Sequence, residues 1–109
     1  MDEQIEIIIE KPVSSPKATP LLFIHGMWHG AWCWQEYFLP YFAKNNYVSY
    51  ALSLRGHGKS KSQKRLRGIS LAEYVSDVSS VVDRMESAPI LIGHSMGGMT
   101  SVSLTLKYP

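Results

Sequence analysis

Ser95 lies in the segment Gly93-His94-Ser95-Met96-Gly97, a G-x-S-x-G spacing that offers a nucleophile on a tight turn. A serine hydroxyl projected away from its own backbone can attack an acyl carbon. The turn needs small residues on either side so that neighbouring chain can pass without a Cβ clash. The apolar run Pro89 to Ile92 leads into the motif and a helical segment from Met96 follows it, which places the serine at a strand-to-helix junction. A helix starting there turns its unpaired N–H groups, and the positive end of its dipole, toward the place where an oxyanion would form. A second glycine-bearing stretch, His25-Gly26-Met27-Trp28-His29-Gly30, follows the apolar run Leu21 to Ile24. Alone it reads as a plain connection between strand and helix. Paired with the serine turn, it is a source of a second backbone donor for the same oxygen.

The elements that must position these residues follow from periodicity and punctuation. Gln4 to Lys11 is a β-branched run ending at Pro12, and Leu21 to Ile24 has the look of a strand buried on both faces. A helix is expected to begin or bend near Pro40 and to end at Asn45-Asn46, where an Asn supplies a left-handed cap. Tyr47 to Leu54 alternates as a third strand, and Ser70 with Glu73 forms an S-x-x-E capping box at the start of a helix. Leu71, Tyr74, Val75, Val78, Val81, Val82 and Met85 make one apolar stripe on that helix, which Pro89 is expected to stop. Ile90 to Ile92 is a fourth strand, and Met96 to Lys107 another helix ending at Tyr108-Pro109. Strands separated by helices predict an α/β fold of three layers, α/β/α, with a mainly parallel sheet and helices on both faces.

Composition narrows the class. The chain has 109 residues, 45% hydrophobic and 18% charged, which suits one globular domain. A net charge of +2 gives no ground for a nucleic-acid partner. The single cysteine, Cys33, forms no intrachain disulfide and reads as a small apolar residue between Trp32 and Trp34. The acidic start Met1-Asp2-Glu3 is unlike a signal peptide and no apolar run reaches a membrane span, so a cytoplasmic home is the expectation. Arg55, Lys59, Lys61, Lys64, Arg65 and Arg67 lie in one loop free of acids. A phosphate or anionic-lipid contact is one reading, and a solvated surface loop the plainer one. Glu36 and Asp77 read as solvated helix residues. His25 and His57 read as imidazoles that tie backbone to backbone.

Four landmarks in order carry a resemblance: Phe23-Ile24-His25-Gly26, Trp28-His29-Gly30-Ala31-Trp32-Cys33-Trp34, Leu54-Arg55-Gly56-His57-Gly58-Lys59-Ser60, and Gly93-His94-Ser95-Met96-Gly97-Gly98. Together they resemble the N-terminal half of an α/β-hydrolase, over essentially the whole chain. The Trp-rich stretch is similar to that of methyl esterases and hydroxynitrile lyases. The resemblance implies that Ser95 is the nucleophile, that the backbone N–H groups of Met27 and Met96 form the oxyanion hole, and that a small-molecule acyl substrate is hydrolysed without metal or organic cofactor.

A serine is activated by a histidine that a carboxylate orients, and in this fold both follow the serine in the chain. Residues 96–109 contain no Asp, Glu or His. Residues 1–109 are therefore expected to be the N-terminal part of a single α/β-hydrolase domain, a truncated α/β-hydrolase fold that is inactive alone. The strand Ile90 to Ile92 would then be an exposed sheet edge, open to self-association. A carbon–carbon or hydroxynitrile lyase of the same fold, and a non-catalytic interaction domain, stand as alternatives to the esterase.

Overall fold

Leu21–Ile24 forms strand β2 at the middle of the sheet, with all four residues buried. The structure is a computed structural model and describes residues 4–107. β2 pairs in parallel with β3 (Ser49–Leu52) on one side and with β4 (Ile90–Gly93) on the other. β1 (Ile7–Glu10) runs antiparallel against β3, giving the order β1-β3-β2-β4. Because successive residues point to opposite faces, β2 supplies both cores. Leu22 and Ile24, with Leu52 and Leu54, meet Tyr74, Val75, Val78 and Val81 of α3 (Leu71–Val82) and Leu104 of α4 (Met96–Lys107). Leu21 and Phe23, with Ala51, meet Trp34 of α1 (Trp32–Gln35) and Leu39 of α2 (Phe38–Lys44). The Phe23 ring lies 5.1 Å from Trp34 and 5.7 Å from Phe42, centroid to centroid. The expected three layers, with a mainly parallel sheet, are present.

Local signals set most boundaries. The Ser70 hydroxyl accepts from the Glu73 N–H and the Glu73 carboxylate from the Ser70 N–H, so the capping box is complete. α2 ends at Lys44 with Asn45 as its C-cap, and Asn46 takes the left-handed conformation at φ 72°. Other boundaries move. β1 and β3 are shorter than the runs Gln4 to Lys11 and Tyr47 to Leu54. α3 ends at Val82, well before Pro89: the N–H groups of Arg84 and Met85 reach back only three residues, to Val81 and Val82, which tightens and closes the last turn. Met85 leaves the helix yet still packs against its core. The expected end of α4 at Tyr108-Pro109 falls outside the described residues.

One charged residue departs from its expected place. Asp77 is buried, at 4% exposure, rather than solvated. Its carboxylate accepts from the Arg55 backbone N–H at 2.9 Å and from Arg55 Nη2 at 2.7 Å, while Glu73 takes Arg55 Nη1 at 3.2 Å and Lys64 Nζ at 3.1 Å. Helical periodicity cannot anticipate a cation delivered by another element, and that cation is what makes the buried carboxylate tolerable. The acid-free loop is thus only partly a solvated one. β4 is one of the two edge strands among the described residues, with Ile90 half exposed. Beside it runs a cleft lined by Val82, Pro89, Leu91, Val102, Leu104 and Leu106.

Candidate active site

The parallel ladder brings the ends of β2, β3 and β4 to one edge of the sheet, and Ser95 leaves from there. The His94 N–H still bonds to the Ile24 carbonyl at 3.0 Å, and at the next residue the chain turns into α4. Ser95 makes that turn in the left-handed region, at φ 57°, a conformation that costs a non-glycine residue about 1 kcal/mol or more. Such strain persists only where the surroundings over-determine it, and here they do. A Cβ on Gly97 would collide with the Ile24 carbonyl oxygen, and one on Gly93 would collide with the Gly97 carbonyl. The two glycines of the motif therefore face one another and β2 across the turn. The Ser95 side chain is exposed, and its hydroxyl has no hydrogen-bond partner among the described residues.

The 25–31 loop lies directly against this turn. A Cβ built on Gly26 would stand 3.2 Å from the Ser95 Cβ and 3.2 Å from the His94 carbonyl oxygen. The backbone N–H groups of Met27 and Met96 take no partner among the described residues. Trp28 also adopts a left-handed backbone, at φ 71°, and is 75% exposed. The far end of the loop is anchored by polar groups that strand alternation alone does not reveal. The Ala31 N–H donates to Ser53 Oγ at 2.8 Å, the Ser53 hydroxyl donates to Glu6 Oε1 at 2.7 Å, and the Lys59 N–H donates to the same oxygen at 2.9 Å. Ser60 completes the set, its Oγ accepting from the Glu6 N–H at 2.8 Å. The only advance signal for Ser53 is a hydroxyl between the apolar residues Leu52 and Leu54 at the end of β3.

The histidines divide by role. His25 is fully buried, and its Nε2 accepts from the Leu54 N–H at 2.9 Å, so the ring proton sits on Nδ1 and is donated to the Gly26 carbonyl at 2.6 Å. Desolvation outweighs the raising effect of the Gly26 bond, and with nearby His57 and His29 holds the ring pKa at about 4. His57 is also buried and lies 3.1 Å from the Arg55 carbonyl through Nδ1. His25 ties backbone to backbone, as expected, whereas His57 binds backbone through Nδ1 alone and its buried Nε2 has no partner among the described residues. His29 and His94 stack with centroids 6.1 Å apart, and neither bonds to the Ser95 hydroxyl. Cys33 is half-buried, its thiol pKa raised by burial. Glu36 is exposed, as read.

A neutral buried His25 has a consequence for pH. Unfolded, the ring titrates near 6.5; folded, near 4. Between these values the unfolded chain binds a proton that the folded one refuses. Stability is therefore full above pH 6.5 and declines as pH falls toward 4, by about 3 kcal/mol across the window. Urea midpoints measured through that range should fall, and fall much less in a His25→Asn variant.

Comparison with known proteins adds the lineage. The model of the alpha/beta hydrolase family matches residues 21–108. Protein phosphatase methylesterase 1 of Mus musculus is 36% identical over 93 residues, covering 82% of this chain and 24% of that protein. Methylesterase 3 of Arabidopsis thaliana is 27% identical over 101 residues, covering 82% of this chain and 34% of its own length. Among solved structures, a thioesterase domain from the curacin biosynthetic pathway superposes with a TM-score of 0.83 at 29% identity, over 98% of this chain and 37% of that one. The chain spans about a quarter to a third of the length of the curated relatives it matches.

Proposed function

The chain belongs to the alpha/beta hydrolase family, and from that we propose that residues 1–109 form the N-terminal part of a single hydrolase domain in which Ser95 is the nucleophile. The observation that carries the proposal is the exposed, left-handed Ser95 pressed between Gly26 and the start of α4. In the proposed reaction, Ser95 Oγ attacks the carbonyl carbon of a small ester and loses its proton to a histidine. The carbonyl oxygen becomes an oxyanion, stabilised by the N–H groups of Met27 and Met96. The alcohol leaves with the proton, and water then hydrolyses the acyl-serine. The orienting acid and the histidine would come from the part of the domain that the longer relatives also possess. The relatives named above act on esters and thioesters by name, which supports acyl transfer over a lyase reaction.

Two measurements test this. A protein in which this chain continues through an Asp or Glu and then a His should turn over p-nitrophenyl acetate and take up a fluorophosphonate at Ser95. The 109-residue chain, with no Asp, Glu or His after Ser95, should stay unlabelled. Full turnover by the Ser95→Ala variant would defeat the assignment. Ser95→Gly should abolish labelling while raising stability by about 1 kcal/mol, because glycine relieves the left-handed strain.

A further inference from the structure

We propose that Glu6 and Ser53 are positioning residues for acyl transfer: together they set the 26–31 loop so that the Met27 N–H is aimed at the oxygen of a substrate on Ser95. This role rests on the reading of Ser95 as nucleophile. The geometry behind it is a set of hydrogen bonds inside the molecule.

Two neighbouring residues just past β3 hold both ends of the loop. At its start, His25 Nε2 accepts from the Leu54 N–H at 2.9 Å, and the other ring nitrogen bonds to the Gly26 carbonyl at 2.6 Å. At its end, the Ala31 N–H donates to Ser53 Oγ at 2.8 Å, and both residues are fully buried. Among the described residues, that is the one hydrogen bond joining the backbone of residues 26–31 to β3 or the loop after it. Met27 lies between the two anchors with its N–H unpartnered. An N–H serves an oxyanion best when its direction is fixed before the charge appears.

Ser53 alone does not fix that direction. A hydroxyl has one proton and rotates to suit its neighbours, donating along one line and accepting along others. Glu6 removes the choice. Its Oε1 takes the Ser53 proton at 2.7 Å, which leaves an oxygen lone pair for Ala31. A carboxylate acceptor strengthens that bond and polarises the hydroxyl toward accepting more strongly in turn. Glu6 is itself held: its carbonyl accepts from the Ser53 N–H at 2.9 Å, its N–H donates to Ser60 Oγ at 2.8 Å, and its Oε1 also accepts from the Lys59 N–H at 2.9 Å. Gly58 makes room for this meeting, since a Cβ there would collide with Ser53 Oγ and stand 2.7 Å from Glu6 Oε1. Glu6 forms no ion pair among the described residues. Its negative charge would oppose a nearby oxyanion, so what it contributes is orientation.

The test uses the protein in which this chain continues through an Asp or Glu and then a His, with p-nitrophenyl acetate as substrate. Glu6→Ala and Ser53→Ala should each lower kcat about 10–100-fold, as for a displaced oxyanion donor, while KM stays within about twofold. Glu6→Gln keeps an oxygen acceptor at the same reach and should stay close to the parent. Because the two residues act in series, the double Ala variant should fall no further than the worse of the singles. Amide exchange gives a second readout, independent of turnover. The Ala31 N–H should exchange about tenfold faster or more in either Ala variant, while Leu22 and Phe23 in β2 keep their parental rates. Should Glu6→Ala fail to fold, Glu6→Asp, whose carboxylate falls one methylene short, should show the same two effects in smaller measure. Parental kcat in the Ala variants, single losses that multiply in the double variant, unchanged exchange at Ala31, or exchange rising equally at Ala31 and in β2 would each overturn the proposal and leave Ser95 standing. Turnover retained by Ser95→Ala would defeat the nucleophile, and with it the catalytic role of the clamp.

Discussion

A Gly97→Ala variant will lose about 3 kcal/mol or more of stability and, in most conditions, its cooperative fold. The added methyl would collide with the carbonyl oxygen of Ile24 and stand 2.6 Å from that of His25. Both atoms belong to the backbone at the end of β2, which is hydrogen-bonded to strands on either side. Side chains can give way by rotating; this backbone can move only by tearing the ladder to β4. Overpacking of flexible side chains already costs about 1–3 kcal/mol, and a rigid neighbour puts the cost at the top of that range or above. The usual gain of about 1 kcal/mol from replacing glycine by alanine in a helix works in the opposite direction and is too small to win. Gly98→Ala is the internal control. Its Cβ would come no closer than 3.6 Å to anything, the carbonyl oxygen of Gly93, so that variant should be neutral or more stable. Urea midpoints for the two, measured side by side, decide the matter; equal shifts would refute the steric account.

Asp77→Ala is the second large loss, about 3 kcal/mol. Removing one member of a buried, hydrogen-bonded ion pair leaves the other charge poorly solvated. Here the change also strips the Arg55 backbone N–H of its acceptor. Arg55 keeps Glu73 and is 20% exposed, which holds the loss to the lower part of the range for buried pairs. Asp77→Asn retains an oxygen for the Arg55 N–H and should lose roughly half as much. If the Ala and Asn variants melt together with the parent, the pair contributes nothing and the turn after β3 is held by packing alone.

Those two residues also mark what was legible in advance. The β2, α3 and α4 assignments rested on strong local signals: an uninterrupted apolar run, a capping box with a seven-position stripe, and a glycine-framed serine. Each appears with its expected partners. The turn at Ser95 was readable because glycine spacing reports steric need directly. The spacing of Asp77 along α3 says nothing of Arg55, which comes from the loop after β3, so its burial is not legible in the sequence. Pro89 does not reveal the end of α3 at Val82, because proline marks where a helix cannot continue, and not where it has already closed. The Glu6, Ser53 and Ala31 chain of hydrogen bonds was invisible for the same reason as the ion pair: it joins three segments distant in sequence, none of which carries a motif for it.

The strained serine also has a place in time. Within residues 93–98 only the close approach of Gly93 and Gly97 shapes the turn; the long-range constraint on Ser95 comes from the Ile24 carbonyl lying against Gly97 and from Gly26 lying against the Ser95 Cβ. Those contacts exist only after β4 has found its register on β2, an encounter between segments far apart in the chain. The entropy of closing that long loop is spent before any contact repays it. The expected outcome is that the Ser95 turn sets only when the sheet closes, and that in a peptide cut to the strand, turn and helix the serine relaxes to an ordinary backbone, which NMR coupling constants at Ser95 would check.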